Sequence, residues 1–191
     1  MQEVMDRSAD AALVDRLRRG ERGAFRELYG RFAQGTFGFL LRLAGRRDAA
    51  EDLHQEMWLS VARHASRLAA DTDLAAWIFT VARNRFRSSR RRAEPAAVSA
   101  DAALADRAAG APASDDPGCR DLERALAALP EVHREVLVLV GVEGLDTAAL
   151  ATVLAIRPDA ARQRLARARA ALADAVAANE IRTSSPRRAQ S

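Results

Sequence analysis

The stretch DTAALATVLAIRPDAARQRLARARAAL, Asp146–Leu172, decides how the whole chain is read. Asp146 is placed to cap a short helix that carries Leu150, Val153 and Leu154. Ala155-Ile156-Arg157 then turns the chain. Pro158 suits the first residue of a longer helix, because its φ is already helical and it has no N–H to leave unpaired. On that helix Ala161, Leu165, Ala168, Leu172 and Val176 recur at inward positions, while Arg162, Arg164, Arg167 and Arg169 take the sides left free. A short helix, a three-residue turn and a longer helix make a helix-turn-helix.

Working outward, Leu122, Leu126 and Leu129 form a stripe ended by Pro130, and Val136, Leu137, Leu139 and Val140 form another, ended by Gly141 and Gly144. These extend a second helical block over 120–178, with a polar tail over 179–191. Before it, 93–119 holds Pro95, Pro112 and Pro117, and its acids Glu94, Asp101, Asp106, Asp115 and Asp116 meet only Arg107. Such a segment buries too little apolar surface to offset chain entropy and reads as a flexible acidic linker. A marginal Ala-rich helix near 100–109 is the alternative. Over 8–92 the pattern gives four helices sharing one core. Ser8 is placed to cap the first, which carries Leu13, Val14 and Leu17 up to Gly20. The second carries Phe25, Leu28, Tyr29, Phe32, Phe39, Leu40 and Leu43 up to Gly45. Asp48, three residues before Glu51, suggests a capping arrangement for the third, with Leu53, Met57 and Val61 buried. Thr72 or Asp73 caps the fourth, whose apolar face holds Leu74, Trp77, Ile78, Val81 and Phe86. The expected fold is all-α: two small helical domains joined by a flexible acidic linker, the second containing the helix-turn-helix.

Composition agrees. The 191 residues carry 30 Lys+Arg against 26 Asp+Glu, a net charge of +4, and every one of the 30 is Arg. Guanidinium stays charged and forks onto phosphate, which favours an anionic partner. A GC-rich codon habit gives the same totals, so placement has to decide. Cys119 alone allows no intramolecular disulfide or multi-cysteine zinc site, and suits a reducing cytoplasm. Residues 1–10 have no signal-peptide core, and no stretch approaches the roughly 18 apolar residues of a membrane span. Membrane insertion is therefore not expected, and a cytoplasmic location is.

Placement is informative. Six arginines, Arg83, Arg85, Arg87, Arg90, Arg91 and Arg92, load the exposed side and end of the fourth helix. A second set sits on the longer helix of the helix-turn-helix. Either cluster alone reads as a solvated face, whereas the two together, flanking an acidic linker, point to nucleic acid. Asp52, Gln55 and Glu56, at i, i+3 and i+4, share one face of the third helix and suit a basic protein surface as well as an ordinary polar face. Catalysis finds no support. Glu51 and His54 form half of a di-iron E-x-x-H pair with no second copy, and His64, His133 and Cys119 sit in no ligand or base pattern. No metal, cofactor or small-molecule substrate is expected. A stand-alone helix-turn-helix regulator is the rival reading, although it leaves the first block without a task and needs a dimer seam that the chain does not display.

AAEDLHQEMWLSVARH (Ala49–His64) followed by AWIFTVARNRFRSSRRR (Ala76–Arg92) resembles the second conserved region of bacterial extracytoplasmic-function (ECF) sigma factors of the sigma-70 family. ALAALPEVHREVLVLVGVEGL and the helix-turn-helix after it, Ala125–Leu172, resemble their fourth region. The resemblance implies a non-enzymatic subunit that confers promoter-specific initiation on core RNA polymerase. It implies that Asp52, Gln55 and Glu56 dock on the polymerase's largest subunit. Leu68, Asp71, Thr72, Asp73 and Asn84 would take an unstacked base of the minus-ten strand, with Arg83, Arg87, Arg90 and Arg91 on its phosphates. It places Arg157, Asp159, Arg162, Gln163, Arg164 and Arg167 at the minus-thirty-five duplex, the long helix in the major groove. An anti-sigma protein is an implied partner besides polymerase and promoter DNA. Asn84 has a second reading, as a residue locking the fold from inside. The helix-turn-helix departs from the family pattern at Ala149, Ala155, Arg157 and Ala160, where Glu, Gly, a small polar cap and Thr are usual. The loop Ala69-Ala70-Asp71-Thr72-Asp73 lacks the usual glycine and basic residues.

Overall fold

A computed structural model describes residues 2–93 and 117–184. The described residues contain no strand. The first block is α1 (Gln2–Arg18), α2 (Arg22–Ala44), α3 (Arg47–His64), a 3-10 turn (Ala65–Arg67) and α4 (Leu74–Ala93). The second is α5 (Pro117–Ala128), α6 (Glu131–Leu137), a π segment (Val138–Val142), α7 (Thr147–Leu154) and α8 (Pro158–Ser184).

The helices form where the apolar spacing puts them, and their ends follow local chemistry. α2 stops at Gly45, which takes the left-handed conformation (φ 77°) and donates its N–H to Leu41 O at 2.9 Å. Asp73 opens α4 by accepting from Ala76 N at 2.9 Å, while Thr72 instead donates to Ala69 O at 2.8 Å. Asp146 opens α7 by accepting from Ala149 N at 2.7 Å. Several expectations move. α1 begins at Gln2, so Ser8 lies within it. α3 begins at Arg47 behind Arg46 with no side-chain cap, Asp48 pairs with Arg46, and Glu51 pairs with Arg47 at 2.8 Å, so no capping box forms. The second block starts at Pro117, because proline at a first helical position leaves no donor orphaned. α8 runs on to Ser184. The segment before Gly141 widens into a π turn instead of ending there, with Glu143 N bonded to Val138 O at 3.1 Å. Residues 94–116, including the proposed Ala-rich helix, and 185–191 lie outside the described residues.

α1 to α4 bury Leu13, Leu28, Phe39, Met57 and Ile78, with Phe39 and Phe79 packed edge to face at 5.6 Å. α6 and the π segment bury Val136, Val138 and Leu139 against α2 and α8. The two blocks are not separate bodies. α2 meets α6, α4 meets α7, and the buried cluster is continuous across both.

Candidate nucleic-acid and polymerase interfaces

α4 presents its polar residues along two lines, because successive residues turn by about 100°. Asn84 and Arg91 share one line and are exposed, with exposed Arg87 close beside them. Asn84 is therefore not a lock on the core. Arg83 and Arg90 share the other line and face the second block. Arg83 is buried, with a side chain 7% exposed, and its Nε donates to Glu135 Oε1 at 2.7 Å. Its Nη1 donates to Val153 O at 3.3 Å, near the end of α7 where carbonyls lack helical partners. Arg90 lies 3.8 Å from Glu131. The sequence placed Arg83 on an exposed face; the pairing across blocks removes it from solvent.

The loop before α4 is held by the bonds already described at Thr72 and Asp73. Leu68 is buried beneath it, and Asp71 and Asp73 are exposed. It forms one bank of a cleft of about 620 Å³ whose other bank is Glu143 to Asp146, ahead of the helix-turn-helix.

On α3, Asp52, Gln55 and Glu56 are exposed on one face, with Arg92 at 3.7 Å from Glu56. Leu59 extends that line by one turn and is 58% exposed, which sequence reading missed. Its signal was present, since i, i+3, i+4 and i+7 from Asp52 end at Leu59. The face behind it is fixed by Trp58, whose ring lies tilted against Tyr29 at 4.8 Å and edge-on to Phe25 at 5.9 Å. Trp58 Nε1 donates to His54 Nε2 at 2.9 Å, and that nitrogen also lies 3.2 Å from Thr36 Oγ1. His54 thus serves the packing of α2 on α3.

In the helix-turn-helix, Ala155 ends α7 in the left-handed conformation (φ 54°), where a glycine carries no Cβ penalty. Arg157, Asp159, Arg162, Gln163 and Arg167 are exposed around the start of α8, and Arg164 is half-buried. Arg162 pairs with Asp159 one turn back.

Missed altogether were Glu135 and Glu143. Glu143 rests against Gly35 of α2, so close that a Cβ there would fall 2.3 Å from Oε2. Burial pushes its carboxyl pKa up, partly countered by Arg42 nearby. Arg42 itself forks onto Glu123 at 2.6 and 3.1 Å. The only sequence sign was a charged Arg134-Glu135 pair set against an apolar run.

Fold and faces together define an all-helical, two-block protein of the helix-turn-helix class with basic helices on both blocks. Sigma-70 region 2 matches residues 28–95, and Sigma-70, region 4 matches 119–172. The chain is 36% identical over 153 residues to the RNA polymerase sigma factor CarQ of Myxococcus xanthus, covering 79% of this chain and 88% of that one. It is 31% identical over 135 residues to the ECF RNA polymerase sigma factor EcfG of Rhodopseudomonas palustris (strain TIE-1), covering 70% and 75%. The fold is similar to that of CnrH in complex with the cytosolic domain of CnrY, at TM-score 0.68 and 23% identity, over 89% of this chain and 98% of that one. It is also similar to the sigma factor RpoE in complex with the anti-sigma factor NepR from Bartonella quintana, at TM-score 0.65 and 24% identity, over 80% and 96%. The chain belongs to the ECF sigma factors of the sigma-70 family.

Proposed function

We propose that this sigma factor divides its work among three faces. The acidic stripe Asp52, Gln55 and Glu56, extended by Leu59, docks on core RNA polymerase. The loop Leu68 to Asp73 together with Asn84 takes an unstacked minus-ten base, while Arg83, Arg87, Arg90 and Arg91 follow the strand's phosphates. The start of α8, through Arg162 and Arg164 with Arg157, Asp159, Gln163 and Arg167 around them, enters the minus-thirty-five major groove. The observation that carries this reading is the pair of exposed basic helix faces, one beside a loop and one leading a helix-turn-helix. Phosphate contacts position a protein and base-edge contacts specify sequence, so two such faces suit a strand and a duplex respectively. No step of covalent chemistry is assigned to the chain. It works in the cytoplasm, and an anti-sigma protein that covers these faces is its further partner.

Run-off transcription from the promoter of its own operon, with purified core enzyme, tests the reading. A specific transcript that depends on this chain is expected. Replacing Asp52, Gln55 and Glu56 with Ala should weaken core binding and leave helicity unchanged, because none of the three is buried. No transcript and no association with core would sink the proposal.

A further inference from the structure

One nitrogen of His54 stands beside the acidic stripe of α3 with two partners that it cannot serve at once. We propose that His54 is a positioning residue for docking on core polymerase, and that a proton on its Nε2 loosens the α2–α3 seam under the stripe and weakens the complex. The inference rests on the assignment of Asp52, Gln55, Glu56 and Leu59 to polymerase docking given above.

Nε2 lies 2.9 Å from Trp58 Nε1, 3.0 Å from Ala33 O and 3.2 Å from Thr36 Oγ1. An indole N–H only donates and a carbonyl only accepts, so the proton on Nε2 decides which of the two is served. The two losses are unequal. Ala33 O has a second donor in the Thr36 hydroxyl at 3.1 Å, whereas the indole N–H has no other acceptor among the described residues. Trp58 is buried, and a buried donor left without a partner bears its full desolvation cost. A neutral ring with Nε2 bare therefore leaves neither group orphaned. The imidazolium, with a proton on both nitrogens, strands the indole. Burial also resists that charge and holds the ring's pKa down against the pull of Ala33 O.

The link to docking is geometric. At about 100° per residue, Trp58 stands about 60° round α3 from Gln55, at the edge of the stripe. Its ring carries that of Tyr29 from α2, which is 45% exposed. A displaced indole thus shifts α2 against α3 and moves the border of the docking face. No other charge change at the seam accompanies the proton. Arg47 lies over the Phe37 ring and is paired with Glu51, one turn before His54, at 2.8 Å. From α2, Thr36 and the edge of Phe37 face the imidazole, with the Tyr29 phenol beyond Trp58. Asp52 and Glu56 stand about 160° away round α3.

The test compares the full chain with two variants outside the docking stripe. His54→Gln offers the indole an acceptor that does not titrate. Trp58→Phe keeps an aromatic ring against Phe25 and Tyr29 and removes the N–H. Fluorescence anisotropy of the labelled chain, titrated with purified core enzyme, reads affinity at about pH 7.5 and about pH 5.5, on either side of the histidine range. Binding that requires one proton to leave weakens by at most about tenfold per pH unit below the ring's pKa, so wild type should lose about two- to fourfold between them. Titration of the core enzyme is common to all three chains, so the decisive quantity is the excess loss of wild type over the variants. In the free chain, the Trp58 Nε1–H resonance should move with the same midpoint as the His54 ring. Equal losses in wild type and variants overturn the proposal, as does an indole resonance that ignores the titration of His54. Should a variant fail to fold by circular dichroism, the other variant and the wild-type resonances still decide. Failure of the docking reading shows separately, as unchanged core affinity when Asp52, Gln55 and Glu56 are replaced with Ala.

Discussion

His54 shows how one ring nitrogen constrains pH behaviour. Nε2 lies 2.9 Å from Trp58 Nε1 and 3.0 Å from Ala33 O, and burial holds the ring's pKa below the ordinary 6.5 against an opposing pull from that carbonyl. The unfolded chain takes up that proton at the ordinary value and the folded chain resists it. Stability is therefore full above about pH 6.5 and falls as pH drops below it. The thermal midpoint of the wild type should fall between about pH 7.5 and pH 5.5 by more than that of His54→Gln, which keeps an acceptor and does not titrate. Equal falls would remove His54 from the account. Ala155 gives a second residue-scale expectation. A Cβ in the left-handed region costs about 1–2 kcal/mol, partly offset by the chain entropy that glycine adds. Ala155→Gly should raise the urea midpoint by the equivalent of about 0.5–1 kcal/mol. The turn itself was legible, because Pro158 and the apolar spacing on either side leave three residues for it. The conformation of Ala155 was not, since alanine carries no mark of a positive φ.

At the scale of the element, α4 and α8 differ in what they can read. Arg162 and Arg164 lie in the first two turns of α8, where side chains reach base edges once a helix enters the major groove. Arg162→Ala and Arg164→Ala should each cost about 1–3 kcal/mol and relax preference at one minus-thirty-five position. Arg91→Ala on α4 should instead weaken binding evenly across promoters and flatten the salt slope by about one unit. Asn84 is exposed, so Asn84→Ala should leave thermal stability unchanged and alter base preference at the minus-ten element. A minus-ten mutation scan that shows unchanged preference would remove Asn84 from the reading site. Helix periodicity made these basic faces legible. It could not show that α4 carries two faces with different fates, because Arg83 and Arg87 are one turn apart and only a neighbour from the other block separates them.

On the scale of the whole molecule, the second block is organised around α6. Arg134 donates to Leu126 O, Ala127 O and Leu129 O at 2.7–3.0 Å, closing the end of α5, and reaches Arg42 O on α2 at 3.3 Å. Two helical blocks were legible from Pro130, the acidic stretch and the paired stripes. Their contact was not, because an ion pair 52 residues apart leaves no local pattern. The π segment beside it works as a phase slip in a screw. An ordinary thread advances about 100° per residue, and one residue held in a wider turn sets everything downstream back by about that angle. The slip at Val138–Val142 is what clocks Glu143 round to Gly35. Deleting Gly141 should restore the ordinary thread, keep the helicity, and swing that carboxylate out into water. Its pKa, followed by NMR, should then relax toward the ordinary 4.5. A carboxyl that stays elevated would mean that the phase of the screw does not aim it.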